Sequence, residues 1–236
     1  MPETPLVDPA WLADHRDDPS VHIVDVRDSW EYDSIGHLPG AVNIPFDSYR
    51  DADSSDPGTL PGADAFARLL GEAGIGPDDT IVAYDDTHGV FAARLLVTAL
   101  AYGHENVALL DGDFSSWQRA FETTTESPTV ESVTYAIDGL AAAAPIVDRA
   151  AVAAAIDDET VTLLDTRDEA EYEEQHIPGA IRIDWREFVD DESRGVRSAA
   201  EIESLLTDRG ISTDRNQRII LYCNTSRRLS HTFVVL

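Results

Sequence analysis

The chain has 236 residues, and its 45 acidic residues against 17 basic ones give a formal net charge of −28 at pH 7. This length allows one large domain or two small ones. The negative charge argues against a nucleic-acid-binding protein, because recognition of phosphate needs Lys and Arg, and against docking on an anionic membrane surface. A single cysteine excludes an internal disulfide and a multi-Cys zinc site. We expect no metal and no cofactor.

The composition is biased in a second way. All 17 basic residues are Arg, and the acids are 29 Asp and 16 Glu. Such a surface stays hydrated when salt shortens the Debye length to about 3 Å, as at roughly 1 M. The composition favours a cytoplasmic protein of an extreme halophile over an ordinary acidic protein in which Arg replaced Lys. No signal peptide is expected at the N-terminus, and no segment approaches the roughly 20 apolar residues of a membrane span.

The first half of the chain alternates between short apolar runs and one segment of helical spacing. Short apolar runs of this kind are typical of buried strands. The predicted elements, in chain order, are strands at His22–Val26 and Ala41–Ile44, a helix at Asp64–Ala73 ended by Gly74, and strands at Ile81–Tyr84 and Val107–Leu110.

The second half repeats this order. The predicted elements are strands at Val161–Asp165 and Ala180–Ile183, a helix at Ala199–Thr207 followed by Gly210, and a strand at Ile219–Tyr222. Strands alternating with helices predict an α/β fold with mainly parallel sheets flanked by helices. The segment 122–145 is rich in Thr, Ser and Ala and has no sustained periodicity, so it is interpreted as the link between the halves.

The two halves also share motifs. The sequence VDVRDSWEYDSIGHLPGA at residues 24–41 matches LDTRDEAEYEEQHIPGA at residues 164–180, and IVAYDDTHGVFAARLLV at residues 81–97 matches IILYCNTSRRLSHTFVV at residues 219–235. The offset narrows only from 140 residues (24 to 164) to 138 (81 to 219). The chain is therefore predicted to hold two copies of one domain, at 1–125 and 143–236, joined by a linker at 126–142.

These motifs resemble the rhodanese family of sulfurtransferases in its tandem two-domain form, and the resemblance covers nearly the whole chain. The resemblance rests on three features: D-x-R followed by E-Y and H-[LI]-P-G-A in both copies, the loop around Cys223, and DGDFSSW at residues 111–117. The resemblance implies two rhodanese-like domains, of which the first is inactive and the second catalytic. Asp85 stands in the first copy where the second has Cys223.

The second copy ends early relative to the first. Leu236 aligns with Thr98, so the last strand and helix of the first copy have no counterpart. We expect the second domain to be a truncated version of the repeat.

The loop CNTSRR lies between a predicted strand and a predicted helix. This position directs backbone N–H groups and the positive end of the helix at one point, which would stabilise a thiolate or persulfide of Cys223. Cys223 is the predicted nucleophile and Arg228 the predicted catalytic cation. The predicted substrate-binding residues are those of the loop and the arginine of the repeated D-x-R motif: Asn224, Thr225, Ser226, Arg227 and Arg167. Arg167 has an alternative role as a structural salt-bridge partner of Asp165 or Glu171.

Three classes of function compete. A sulfurtransferase would receive sulfur on Cys223 and pass it on, by two-step covalent catalysis. A phosphatase of the related Cys-loop type requires the motif C-x5-R, with an arginine six residues after the cysteine. Here Leu229 occupies that position, and Arg228 lies one residue before it. A persulfide carrier or binding module that feeds a partner protein is the third class.

The expected partners are a small anionic sulfur donor and a thiophilic acceptor such as cyanide. The loop is closest to prokaryotic rhodanese loops of the form C-Q-T-x-x-R. Its two arginines, Arg227 and Arg228, suit a compact dianion and favour thiosulfate over 3-mercaptopyruvate as the donor.

Overall fold

The computed structural model describes residues 4–56 and 58–236, and its first half is built on a five-stranded sheet. The strands are β1 (Leu6–Val7), β2 (Val21–Asp25), β3 (Val42–Asn43), β4 (Thr80–Tyr84) and β5 (Val107–Leu110). They pair in the order β1-β5-β4-β2-β3, and all pairs are parallel. The central strand β4 is buried at every residue, because both faces of the sheet are covered.

Five helices flank this sheet in the described part of the first half. They are α1 (Pro9–His15), α2 (Ser29–Ser34), α3 (Ala63–Glu72), α4 (Val90–Ala101) and α5 (Phe114–Trp117), with a short 3-10 helix at Phe46–Tyr49. Two apolar clusters result, one around Phe66 and Leu95 and the other around Leu12 and Trp117. The sheet therefore has a hydrophobic core on each face.

The second half repeats this plan on a three-stranded sheet. Its elements are α6 (Arg149–Ala155), β6 (Val161–Asp165), α7 (Glu169–Glu174), β7 (Ile181–Arg182), α8 (Ala199–Asp208), β8 (Arg218–Tyr222) and α9 (Arg227–Val235). The parallel order β7-β6-β8 reproduces β3-β2-β4 of the first half. The predicted α/β fold with parallel sheets flanked by helices is confirmed.

Most predicted elements lie within a residue or two of the observed bounds, and the short strands differ most. Strands β3 and β7 contain two residues each where four were predicted, because each pairs with its neighbour over only two positions before the chain turns into a 3-10 helix. Gly74 and Gly210 follow α3 and α8 with φ of +75° and +72°, the left-handed conformation that ends helices.

The segment that was predicted as a linker runs along the first half. Among the described residues 118–148 there is no helix or strand, only a single bridge between His37 and Thr124. The N–H of Val133 donates to the carbonyl of Gly71 at 2.9 Å, and that of Ala141 to the carbonyl of Ala101 at 2.8 Å. The segment is thus held against α3 and α4.

The two halves pack through α4 and α9. Val234 of α9 belongs to the same apolar cluster as Leu95 of α4. A second cluster joins Val90 of the first half to Trp185 and Val189 of the second. Because α9 begins directly after the cysteine loop, this contact sets the loop against the first half of the chain. None of the described helices is long and apolar enough to span a membrane.

Candidate functional site

Cys223 lies at the carboxyl end of β8, in the loop that leads into α9. Its side chain is half-buried. Ser226 closes the loop in the left-handed region at φ 61°, and its counterpart in the first half, His88, has φ 56°. Both loops therefore make the same tight turn before a helix, and the N-terminal end of nine-residue α9 is directed toward the cysteine.

The first-half loop shows what this backbone binds. The carboxylate of Asp85, at the position of Cys223, accepts four backbone N–H groups: those of Thr87 at 2.7 Å, Gly89 at 2.8 Å, Phe91 at 2.7 Å and Ala92 at 3.0 Å. Burial raises the pKa of Asp85, and these N–H groups oppose that rise by stabilising the anion. The loop is therefore an anion cradle in this protein.

Arg228 is held by a carboxylate. Its guanidinium forms a two-pronged ion pair with Glu171, with Nη2 at 2.8 Å from Oε1 and Nη1 on Oε2. The Asn224 amide donates to the same carboxylate. The ion pair with Arg228 lowers the pKa of Glu171 to about 2. The same ion pair raises the pKa of Arg228, as does the neighbouring Cys223. Glu171 thus ties two loop residues together.

Glu171 was not predicted as a site residue, only as a possible structural partner of Arg167, and the structure pairs it with Arg228 instead. Asp168 and Glu171 form a capping box at the start of α7, as Asp28 and Glu31 do at α2. The carboxylate of Glu171 serves both the helix and Arg228.

Arg227 is placed against the first half of the chain. Its guanidinium lies 4.7 Å from the ring centre of Phe91 and 5.4 Å from that of Phe46, and its Nε–H donates to Thr225 at 3.2 Å. Burial lowers its pKa, and the nearby Cys223 opposes this effect. Arg227 makes no ion pair with any Asp or Glu in the described chain. Its charge therefore remains available beside the cysteine.

The first half contributes a second guanidinium near the loop, which the sequence did not reveal. Arg94 of α4 is 3% exposed, and its Nη2 donates to the carbonyl of Gly58 at 2.9 Å. The hydroxyl of Ser226 donates to the same carbonyl at 3.5 Å. A cavity of 510 Å³ is lined by Arg94, Gly58 and Ser226 among others.

Arg167 is held by an ion pair next to the cysteine loop. Its guanidinium pairs with the fully buried Asp165, with Nη2 to Oδ2 at 2.7 Å, and Nη2 also donates to the carbonyl of Gln175 at 2.6 Å. One remaining nitrogen, Nη1, donates to Asn224 at 3.3 Å. Asp165 raises the pKa of Arg167. Arg27 makes the same pair with Asp25 in the first half, so this contact belongs to the repeat and not to the cysteine loop alone.

His231 of α9 is buried between the two halves. Its ring lies 5.2 Å from that of Trp185, edge to face, and neither ring nitrogen has a hydrogen-bond partner among the described residues. Burial and the neighbouring His88 lower its pKa to about 4. Within the described ranges, no group of three or more His, Cys, Asp or Glu is arranged to hold a metal ion.

Comparison with known proteins agrees with this architecture. The family profile described as a rhodanese-like domain matches residues 8–120 and 148–236. A thiosulfate sulfurtransferase of Corynebacterium glutamicum is 32% identical, covering 98% of this chain and 80% of that protein. A relative from the haloarchaeon Haloferax volcanii is 31% identical over 98% of this chain and 86% of its own. The crystal structure of the Escherichia coli 3-mercaptopyruvate sulfurtransferase superposes with a TM-score of 0.85 at 26% identity, covering 98% of this chain and 93% of that one.

Proposed function

The chain belongs to the rhodanese family and is a sulfurtransferase, and we propose that it moves the outer sulfur of thiosulfate to a thiophilic acceptor, such as cyanide, through a persulfide on Cys223. The second domain carries the reaction in this proposal. The first domain has the carboxylate of Asp85 at the equivalent position, and a carboxylate cannot accept sulfur. In this proposal the first domain contributes residues that surround the site.

The observation that carries the proposal is the hydrogen bonding of Asp85. Four backbone N–H groups surround an anion at the position that Cys223 occupies in the second copy. The second loop makes the same turn, with Ser226 at φ 61° where the first has His88 at φ 56°, and in our proposal it surrounds a thiolate or a persulfide anion of Cys223 in the same way. Such a site lowers the energy of the anionic nucleophile and of the sulfur-loaded form alike.

The reaction has two steps. The Cys223 thiolate attacks the outer sulfur of thiosulfate, a new S–S bond forms, and the S–S bond of the donor breaks, with sulfite leaving with the electron pair. The acceptor then attacks the outer sulfur of the persulfide, and Cys223 leaves as a thiolate. Cyanide would become thiocyanate, and the enzyme would return to its starting state.

The charges around the loop favour a dianionic donor. Arg228, the expected catalytic cation, is neutralised by Glu171. In our proposal Arg228 positions the loop and the sulfur atom. Arg227 has no carboxylate partner in the described chain and supplies attraction for the donor. The N–H groups at the positions of the four Asp85 donors belong to Thr225, Arg227, Leu229 and Ser230, and in our proposal these groups form the cradle. Asn224 and Ser226 lie in the same loop, and Arg167 donates a hydrogen bond to Asn224.

The test is a thiosulfate:cyanide assay in about 1 M KCl, run on the parent, on Cys223→Ser and on Thr213→Ser as a matched control on an exposed loop. We expect thiocyanate from the parent and the control and none from Cys223→Ser. Mass spectrometry after thiosulfate alone should show one added sulfur atom, absent from Cys223→Ser.

The same measurements with 3-mercaptopyruvate decide the donor. Sulfur loading by 3-mercaptopyruvate but not by thiosulfate would overturn the choice of donor. Loading by neither donor in a folded protein would overturn the proposed reaction.

A further inference from the structure

Arg94 is a buried cation without a carboxylate partner. It is 3% exposed, its one described hydrogen bond goes to the carbonyl of Gly58, and it makes no ion pair within the described ranges of the chain. Taking a guanidinium out of water is costly unless an anion compensates it. Burial accordingly lowers the pKa of Arg94, and the groups that oppose this are Tyr49, Cys223, Tyr102 and Asp56.

The fold itself does not require an arginine at this position. Arg94 aligns with Thr232 in the second copy, which is also fully buried on the equivalent helix and whose hydroxyl donates to the carbonyl of Arg228 at 3.2 Å. The repeat therefore accepts a small neutral side chain here. The arginine calls for an explanation specific to the first copy, whose helix α4 packs against the second domain.

That explanation lies across the domain interface. Gly58 accepts hydrogen bonds from Arg94 and from Ser226 of the cysteine loop, so one carbonyl connects the buried cation to the site. The 510 Å³ cavity is bordered by these same residues. Arg227 lies against Phe91 of the same helix as Arg94. Two guanidinium groups without carboxylate partners thus flank the loop, one from each domain.

We propose that Arg94, contributed by the domain without a cysteine, is a specificity-determining residue that attracts and orients the anionic part of the sulfur donor at Cys223. This inference rests on the proposed sulfur transfer and deepens it. The donor site is then shared between the two domains, and the first domain has a direct part in selecting anions.

The test measures the electrostatic field at the thiol without requiring turnover. Cys223 is the chain's single cysteine, so its alkylation can be followed with iodoacetate, an anion, and iodoacetamide, its neutral analogue. The ratio of the two rate constants cancels changes in thiolate content. We expect Arg94→Gln to lower the iodoacetate-to-iodoacetamide ratio about fivefold or more. Arg94→Lys should keep most of the ratio, and Arg68→Gln, at an exposed position of α3, should leave it unchanged.

Thiosulfate kinetics provide a second readout. Arg94→Gln should raise the KM for thiosulfate with a smaller effect on kcat. Arg94→Met covers the case in which the glutamine variant does not fold, because replacing an uncompensated buried charge by an apolar side chain of similar length is often neutral or stabilising.

An unchanged alkylation ratio in a folded Arg94→Gln or Arg94→Met variant would overturn this inference. Failure of the proposed sulfur transfer would appear separately, as absence of persulfide in the parent, since the alkylation ratio does not depend on it.

Discussion

Mild acid should destabilise this protein through His231, and the size of the effect follows from its burial. The side chain is fully buried, and its pKa is lowered from 6.5 to about 4. In the unfolded chain the imidazole regains its ordinary pKa, so between these values the unfolded state binds more protons. The free energy of unfolding therefore falls as the pH falls. Between about pH 7.5 and about pH 5 the loss from this one group is about 2 kcal/mol.

The assay is urea unfolding of the parent and of His231→Phe at both pH values in constant KCl. Phenylalanine keeps an aromatic ring against Trp185 and cannot take up a proton. Carboxylates elsewhere add the same pH dependence to both proteins, so the difference between them isolates His231. The parent should lose about 2 kcal/mol more than the variant. Equal losses in the two proteins would refute the argument that a neutral buried imidazole lies at this interface.

Two further predictions concern ion pairs. Glu171→Gln should lower kcat about tenfold, because the charged guanidinium of Arg228 is then held by a neutral amide in place of a carboxylate, a difference of about 1.4 kcal/mol; an unchanged kcat for thiosulfate would contradict this. Arg194→Gln should destabilise the protein by about 3 kcal/mol in urea unfolding, because Asp113, 0% exposed, loses its cation across the domain interface. Arg149→Gln, at an exposed position, is the control, and equal stability of the two variants would argue against the prediction.

The sequence predicted the fold well because the repeat tested most assignments twice. Each predicted strand or helix of the second copy had a counterpart in the first, and parallel α/β units have strong local patterns. The residues of the loop around Cys223 could also be identified from the sequence, because they are neighbours along the chain. The lengths of β3 and β7 were overestimated because apolar residues continue beyond the two positions that pair.

The interdomain part of the site could not be predicted from local patterns. The position of Arg227 on Phe46 and Phe91, and the approach of Arg94 to the loop, depend on how α4 packs against α9. For Glu171 a signal did exist. Both copies carry the capping glutamate, but Val90 occupies the place of Arg228 in the first, so the additional partner of Glu171 was visible as a difference between the repeats.

The carboxylate of Asp85 is, in effect, a ligand tethered to its own receptor. A group joined to the backbone beside its binding site has a very high effective concentration, so dissolved anions cannot displace it. The chain therefore holds one loop whose anion is permanently bound, and, under the proposed function, a second loop that is loaded and unloaded in each catalytic cycle. Spectroscopic changes that accompany sulfur loading should arise at the second loop, and the first loop supplies an occupied reference state within the same molecule.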